Sequence, residues 1–125
     1  MTEKILLIED NEQNRILMRQ ILVCKGYDLL EAKDGLTGLE MARAHMPALI
    51  LLDIQMPVMN GFMVLRELRN DAELRKIAVI AVSSFAMKGD REKALEAGFD
   101  EYVTKPIDTR IFPELLKQIL TEVHP

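Results

Sequence analysis

Five short apolar runs punctuate the chain, separated by stretches in which apolar residues recur at helical spacing. Lys4 to Ile8, Ala48 to Leu52 and Ile77 to Val82 are apolar almost throughout, the pattern of strands buried on both faces. Tyr27 to Ala32 is more polar and reads as an edge strand; Glu101 to Thr104 is a short fifth. Between them, Asn11 caps a helix with the stripe Leu17, Met18, Ile21 and Leu22, which Gly26 ends. Asp34 caps a second, with Leu36, Leu39, Ala42 and Met46 inward and Pro47 as its stop. Gln55 to Gly61 is a loop punctuated by Pro57 and Gly61, followed by a helix with Phe62, Leu65 and Leu68 inward. The fourth helix, Lys88 to Ala97, is closed by Gly98. Its apolar face (Ala94, Leu95, Ala97) is thin, so it is expected to be the least firmly packed. Asp108 caps the last helix, whose stripe is Phe112, Leu115, Leu116, Ile119 and Val123. Pro113 lies just past the free first-turn amides of a helix capped at Asp108, so an irregular first turn is expected.

Buried strands alternating with amphipathic helices define an α/β protein: a (βα)5, doubly wound, parallel five-stranded sheet covered on both faces. Right-handed crossovers leave few topologies, and the expected strand order is 2-1-3-4-5, with a switch point between strands 1 and 3. The chain is read as one domain, 1–125, with no repeat, linker or low-complexity stretch.

Ligands in such sheets bind outside the carboxyl ends of the strands. Strand 1 ends in Glu9 and Asp10, strand 3 in Asp53 and strand 4 in Ser83 and Ser84, while strand 5 ends just before Lys105. Three carboxylates held together repel unless a cation relieves them. An oxygen-rich set of this kind suits Mg2+, which keeps waters and favours phosphate co-ligands. Asp53 can then act as a nucleophile toward phosphorus, with the metal screening the repulsion. Lys105 offers a point charge to a phosphoryl oxygen, and Ser83 a hydroxyl. Each of these residues alone has an ordinary reading as a turn or surface group. Their joint placement at four strand ends carries the functional one.

Composition narrows the classes. The net charge is −4 and no Lys/Arg run exceeds two residues, against direct nucleic-acid binding. No apolar run approaches the roughly 20 residues that span a bilayer, and the N-terminus lacks a signal-peptide layout. A cytoplasmic protein without membrane insertion is expected. Cys24, the single cysteine, excludes an internal disulfide and reads as a small hydrophobe on a helix. His45 reads as a helix-end cation and His124 as a tail residue.

The motifs Glu9-Asp10-Asn11, Asp53 within LLDIQMPVMNG, Ser83, and Tyr102-Val103-Thr104-Lys105-Pro106 resemble those of response regulator receiver domains, over essentially the whole length. The DNEQN opening and the stretch from Phe85 to Asp90 are most similar to DivK-type single-domain receivers and to receivers of hybrid histidine kinases. The resemblance implies a flavodoxin-like fold and the following roles. Asp53 accepts a phosphoryl group from a phosphohistidine. Glu9, Asp10 and Asp53 hold Mg2+ with the backbone carbonyl of Gln55. Lys105 contacts the phosphoryl group, and Ser83 moves to bond it. Tyr102 turns inward behind Ser83, and the Lys105–Pro106 bond is cis. It implies a sensor histidine kinase or histidine phosphotransfer protein as partner, and a chain that catalyses its own phosphorylation and dephosphorylation without turning over a substrate. Ser at position 83 stands where Thr is commoner, and Ser84 where a small apolar residue is usual; Gln55 and Phe85 occupy positions that influence dephosphorylation.

With no output domain in 1–125, output is expected through partner binding at the face of helix 4, strand 5 and helix 5, by a monomer or weak dimer. Met56, Met59, Met63 and Met87 around the pocket suit an adaptable contact surface. A phosphorylation-independent docking module would share the fold but has no need of the acidic set, Ser83 and Lys105. An aspartyl phosphatase of the haloacid-dehalogenase kind would want an acid at position 55, where Gln stands.

Overall fold

The structure, a computed structural model, describes residues 3–123 apart from 86 and 88, and only the backbone of 123. The strands are β1 (Lys4–Ile8), β2 (Asp28–Ala32), β3 (Leu49–Asp53), β4 (Ala78–Ser83) and β5 (Glu101–Thr104). The helices are α1 (Glu12–Cys24), α2 (Gly35–His45), α3 (Gly61–Asn70), α4 (Asp90–Ala97) and α5 (Phe112–Val123), with a short 3-10 turn at Leu74–Lys76. All strands pair in parallel, in the order β2-β1-β3-β4-β5. The doubly wound sheet expected from the pattern is the one observed, with β2 at an edge.

Side chains alternate across each strand, so the sheet divides the interior in two. Leu6, Ile8, Ile50, Leu52, Val79 and Ala81 face α2, α3 and α4. Ile5, Leu7, Leu49, Leu51, Ile80 and Val82 face α1 and α5. Each buried Leu or Ile contributes about 1.5–3 kcal/mol, so both layers hold the sheet.

The caps expected at Asn11 and Asp34 are the ones observed. Asn11 accepts from the Asn14 amide at 3.0 Å, and Asp34 from the Thr37 amide at 2.8 Å. Asn60 does the same for α3, accepting from Met63 N at 3.0 Å. Gly26 (φ +87°) and Gly98 (φ +118°) close α1 and α4 in the left-handed region.

Several inward faces differ from expectation. The stripe of α1 is rotated: Arg15, Met18 and Leu22 are buried, whereas Leu17 is 39% exposed. On α2 the inward face is Gly35, Gly38, Leu39 and Ala42, and Leu36 and Met46 are exposed. The cause is close approach: a Cβ on Gly38 would meet the Ile8 side chain at 2.5 Å, so the helix sits on its glycines rather than on Leu36. Phe62 is half-buried, while Val64 takes the inward place beside Leu65 and Leu68. In α4 only Ala94 is buried, an even thinner contact than the pattern implied. Cys24 is exposed at the end of α1 rather than packed. His45 lies exposed in the last turn of α2, where a cation is favourable. Asp108 does not cap α5: it holds a turn that runs to Ile111, its side chain accepting from Arg110 N at 2.9 Å, and α5 begins at Phe112, so the missing amide of Pro113 falls among first-turn positions that lack an intrahelical acceptor. Lys88, His124 and the Val123 side chain lie outside the described residues.

Candidate functional site

Parallel strands with adjacent registers bring their carboxyl ends to one edge. Ile8 pairs with Leu52, Asp53 with Val82 and Ser83 with Thr104. The residues that follow are held by continuation of the ladder: Glu9 N donates to Ala32 O at 3.0 Å, Ile54 N to Val82 O at 3.1 Å, and Lys105 N to Ser83 O at 2.8 Å. The polar groups read from the strand ends therefore converge.

Glu9 and Asp53 are each 2% exposed, and Asp10 is at the surface. One carboxylate oxygen from each of the three lies within 4.8 Å of the others. Lys105 Nζ stands 2.9 Å from Glu9 Oε1 and 3.4 Å from Asp53 Oδ2. One ammonium thus serves two buried carboxylates. Asp53 Oδ1 also accepts from Gln55 N at 3.1 Å, and Glu9 Oε2 from Asn11 N at 3.3 Å.

The charges do not balance. Burial first, then the hydrogen bond and repulsion from Glu9, push the Asp53 carboxyl up to about 8, against the pull of Lys105 and the Gln55 amide. Glu9 moves the other way: burial works to raise it, but its hydrogen bond with Asp53, the ion pair with Lys105 and the Asn11 amide together hold it below the usual range. The two shifts oppose each other, so the pair resists carrying two negative charges beside a single ammonium. A hard divalent cation held by these oxygens would supply the charge that is missing, so the donor set fits Mg2+. The Gln55 carbonyl accepts no hydrogen bond among the described residues, which leaves it available to the same ion.

Ser83 is fully buried, and its hydroxyl is engaged away from Asp53. It accepts from the Gln55 side-chain amide and from Phe85 N at 3.0 Å. The Gln55 side-chain carbonyl in turn accepts from Ser84 N at 3.0 Å. The Tyr102 hydroxyl donates to the Phe85 carbonyl. A hydrogen-bonded chain therefore runs from Asp53 through Gln55, Ser83 and Phe85 to Tyr102. Ile54, Phe62, Ser83, Phe85 and Tyr102 line one small cavity, so space adjoins the buried hydroxyl. The Lys105–Pro106 peptide is cis. Of the methionines, Met56 is buried, while Met63 and Met87 are exposed.

Two contributions escaped the sequence reading. The side chain of Gln55 bridges the β3 and β4 loops, a reach that no local pattern encodes. Arg15 is 8% exposed, and its Nη1 donates to the carbonyls of Glu9 (3.0 Å) and Asp10 (3.2 Å). Its signal was present: a charged residue three and seven positions before Met18 and Leu22, on the inward phase of α1.

The family model "Response regulator receiver domain" matches residues 5–119. The polar-differentiation response regulator DivK of Brucella ovis is 44% identical over 120 residues, covering 96% of this chain and 98% of DivK. The receiver domain of a sensor histidine kinase from Pseudomonas aeruginosa, solved with a magnesium ion coordinated in its active-site cleft, has a TM-score of 0.88 at 30% identity, covering 97% of this chain and 99% of that one. A response regulator structure from Chloroflexus aurantiacus has a TM-score of 0.92 at 18% identity, covering 97% and 99%, a likeness of fold. No helix of the described residues is long and apolar enough to cross a membrane.

Proposed function

We propose, for a chain that belongs to the response regulator receiver family, that Asp53 takes a phosphoryl group from a phosphohistidine and thereby changes which proteins the chain binds. The observation that carries this reading is the over-charged triad of buried Glu9 and Asp53 with exposed Asp10, and Lys105 in reach of the two buried members. Glu9, Asp10, Asp53 and the Gln55 carbonyl would hold Mg2+, which when bound supplies positive charge against the incoming phosphoryl oxygens.

Asp53 reacts as the carboxylate, the form that a bound cation would favour. An Asp53 oxygen then bonds to phosphorus as the phosphorus–nitrogen bond breaks, and the imidazole nitrogen keeps the electron pair. Lys105 pairs with the charge that accumulates. Ser83 would leave Gln55 and the Phe85 amide to donate its hydroxyl to a phosphoryl oxygen. Because the Phe85 amide is tied to Ser83 and the Phe85 carbonyl to Tyr102, that motion disturbs the β4–α4 loop and the ring on β5. The thin packing of α4 lets this loop and helix adjust at low cost.

The readout is a protein contact, on the pattern of the DivK relatives, of which the chain covers 98%. A sensor histidine kinase or a histidine phosphotransfer protein is the donor, and cytoplasm the setting. The face of α4, β5 and α5 is the surface that changes.

The test is intact mass after incubation with Mg2+ and acetyl phosphate, for the native chain and Asp53→Ala. One phosphoryl adduct on the native chain alone, dependent on the metal, supports the reading. Absence of both the adduct and Mg2+ binding in a folded chain refutes it.

A further inference from the structure

Arg15 occupies a place that packing alone would give to an aliphatic residue. Met18 and Leu22, three and seven positions on, fill the same inward stripe of α1. A guanidinium buried to this degree is costly unless its donors are all used. Here one of them is aimed at the backbone of the acid pair: Nη1 donates to the carbonyls of two consecutive residues, Glu9 and Asp10. On its other side, Nε lies 3.9 Å from Glu31 Oε1 on β2, and Glu31 is itself gripped by Arg19 at 2.7 and 2.9 Å. The clamp is thus anchored to a strand and to the next turn of the same helix.

Fixing both carbonyls fixes the backbone on either side of the peptide joining Glu9 and Asp10. That sets the direction in which each carboxylate leaves the chain. Glu9 gains a further tether from Asn11 N at 3.3 Å, whereas Asp10, exposed, has no side-chain partner among the described residues. For Asp10 the backbone is what holds the carboxylate in place.

We infer that Arg15 is the positioning residue for the metal-binding acid pair, clamping the carbonyls of Glu9 and Asp10 so that their carboxylates meet Asp53 at a preformed cation site. The inference rests on the reading of Glu9, Asp10 and Asp53 as an Mg2+ site. Its sign is diagnostic. A positive charge beneath a cation site opposes cation binding by repulsion. If Arg15 were only a charge, removing it would tighten Mg2+ binding; as a clamp, removing it weakens binding.

The experiment is an Mg2+ titration of the full chain, followed by the amide NMR shifts around Glu9, Asp10 and Asp53, for the native protein, Arg15→Met and Arg15→Lys. Far-UV circular dichroism confirms folding of each. Arg15→Met is expected to bind Mg2+ about 10–100-fold more weakly, the loss typical of groups that orient ligands. Arg15→Lys keeps the charge but loses the rigid guanidinium plane that aims Nη1 and the Nε contact to Glu31, and falls between the two. A folded Arg15→Met with unchanged or tighter Mg2+ binding overturns the inference. Should that variant not fold, Arg15→Lys decides: native affinity there overturns the clamp, and weakened affinity supports it. A native chain whose Glu9, Asp10 and Asp53 amides do not respond to Mg2+ sinks the site reading itself and the clamp with it.

Discussion

Replacing Asp53 with Asn should stabilise the metal-free protein, although it destroys the residue on which the chemistry depends. The magnitude follows from the site. Two carboxylates within 4.8 Å each repel an ionised Asp53 by about 3.5 kcal/mol at an effective dielectric near 20. Lys105 at 3.4 Å returns about 5 kcal/mol. The balance is a penalty of about 2 kcal/mol before burial adds to it. A carboxyl raised from 3.8 to about 8 sets an upper bound of about 6 kcal/mol. The sign runs with pH. The Asp53 carboxyl titrates higher in the folded protein than in the unfolded chain, so its contribution is fully present below about pH 4 and is lost as pH rises through about 8. Asn carries no such penalty. Urea unfolding followed by far-UV circular dichroism, suited to a chain with no Trp, should show little difference near pH 4. By about pH 9 the variant should lead by about 2–5 kcal/mol. Saturating Mg2+ should shrink or reverse the gap, because it stabilises the native chain by mass action. An advantage that is absent, or that stays constant across this range, would refute the argument that crowded carboxylates strain the site.

Three other substitutions test the scaffold. Gly61→Ala places a Cβ 2.7 Å from Ile54 Cα and 2.8 Å from the Asp53 carbonyl, both backbone atoms. It should cost about 1–3 kcal/mol in urea unfolding and weaken Mg2+ binding by displacing the Asp53 loop. Val58 is fully exposed at φ +67°, a conformation that costs a β-branched residue more than Gly loses in chain entropy, so Val58→Gly should raise stability by about 0.5–1 kcal/mol in the same assay. Arg69 donates to the carbonyls of Gly98, Arg75 and Ile77 and to Asp100, joining α3 to the ends of α4 and the 3-10 turn. Arg69→Met should lower stability by about 2–4 kcal/mol, with faster hydrogen exchange at the Val79 amide, which bonds to Asp100.

What could be read in the sequence was whatever a short stretch decides for itself. Buried strands announce themselves as apolar runs, and their ends are marked by the first polar residue, so Glu9, Asp10, Asp53, Ser83 and Lys105 could be named before any coordinates. Helix orientation was harder. Leu36 outweighs Gly38 on any hydrophobicity count, yet the contact of Gly38 with Ile8 turns α2 so that Leu36 faces water. A charge on a helix ordinarily faces solvent, and the carbonyls that Arg15 serves become its neighbours only once β1 and α1 are docked. The Gln55–Ser83 bridge joins residues 28 apart in sequence, and nothing within either segment specifies it.

The division of the interior by the sheet makes neighbours in sequence strangers in space. Val79 and Ile80 are joined by one peptide bond, yet each looks onto a different set of helices, and so do Tyr102 and Val103 at the edge. A methyl label on one residue and a second label on the next would therefore listen to opposite sides of a common wall. Phe85 and Tyr102 belong to the α4 side, where a single alanine anchors the helix; the α5 side is lined by Phe112, Leu116, Ile119 and Leu120. A disturbance that begins at Ser83 should be loud in the first label and muffled in the second, so that within the face of α4, β5 and α5 it is α4 that gives way against a firmly seated α5.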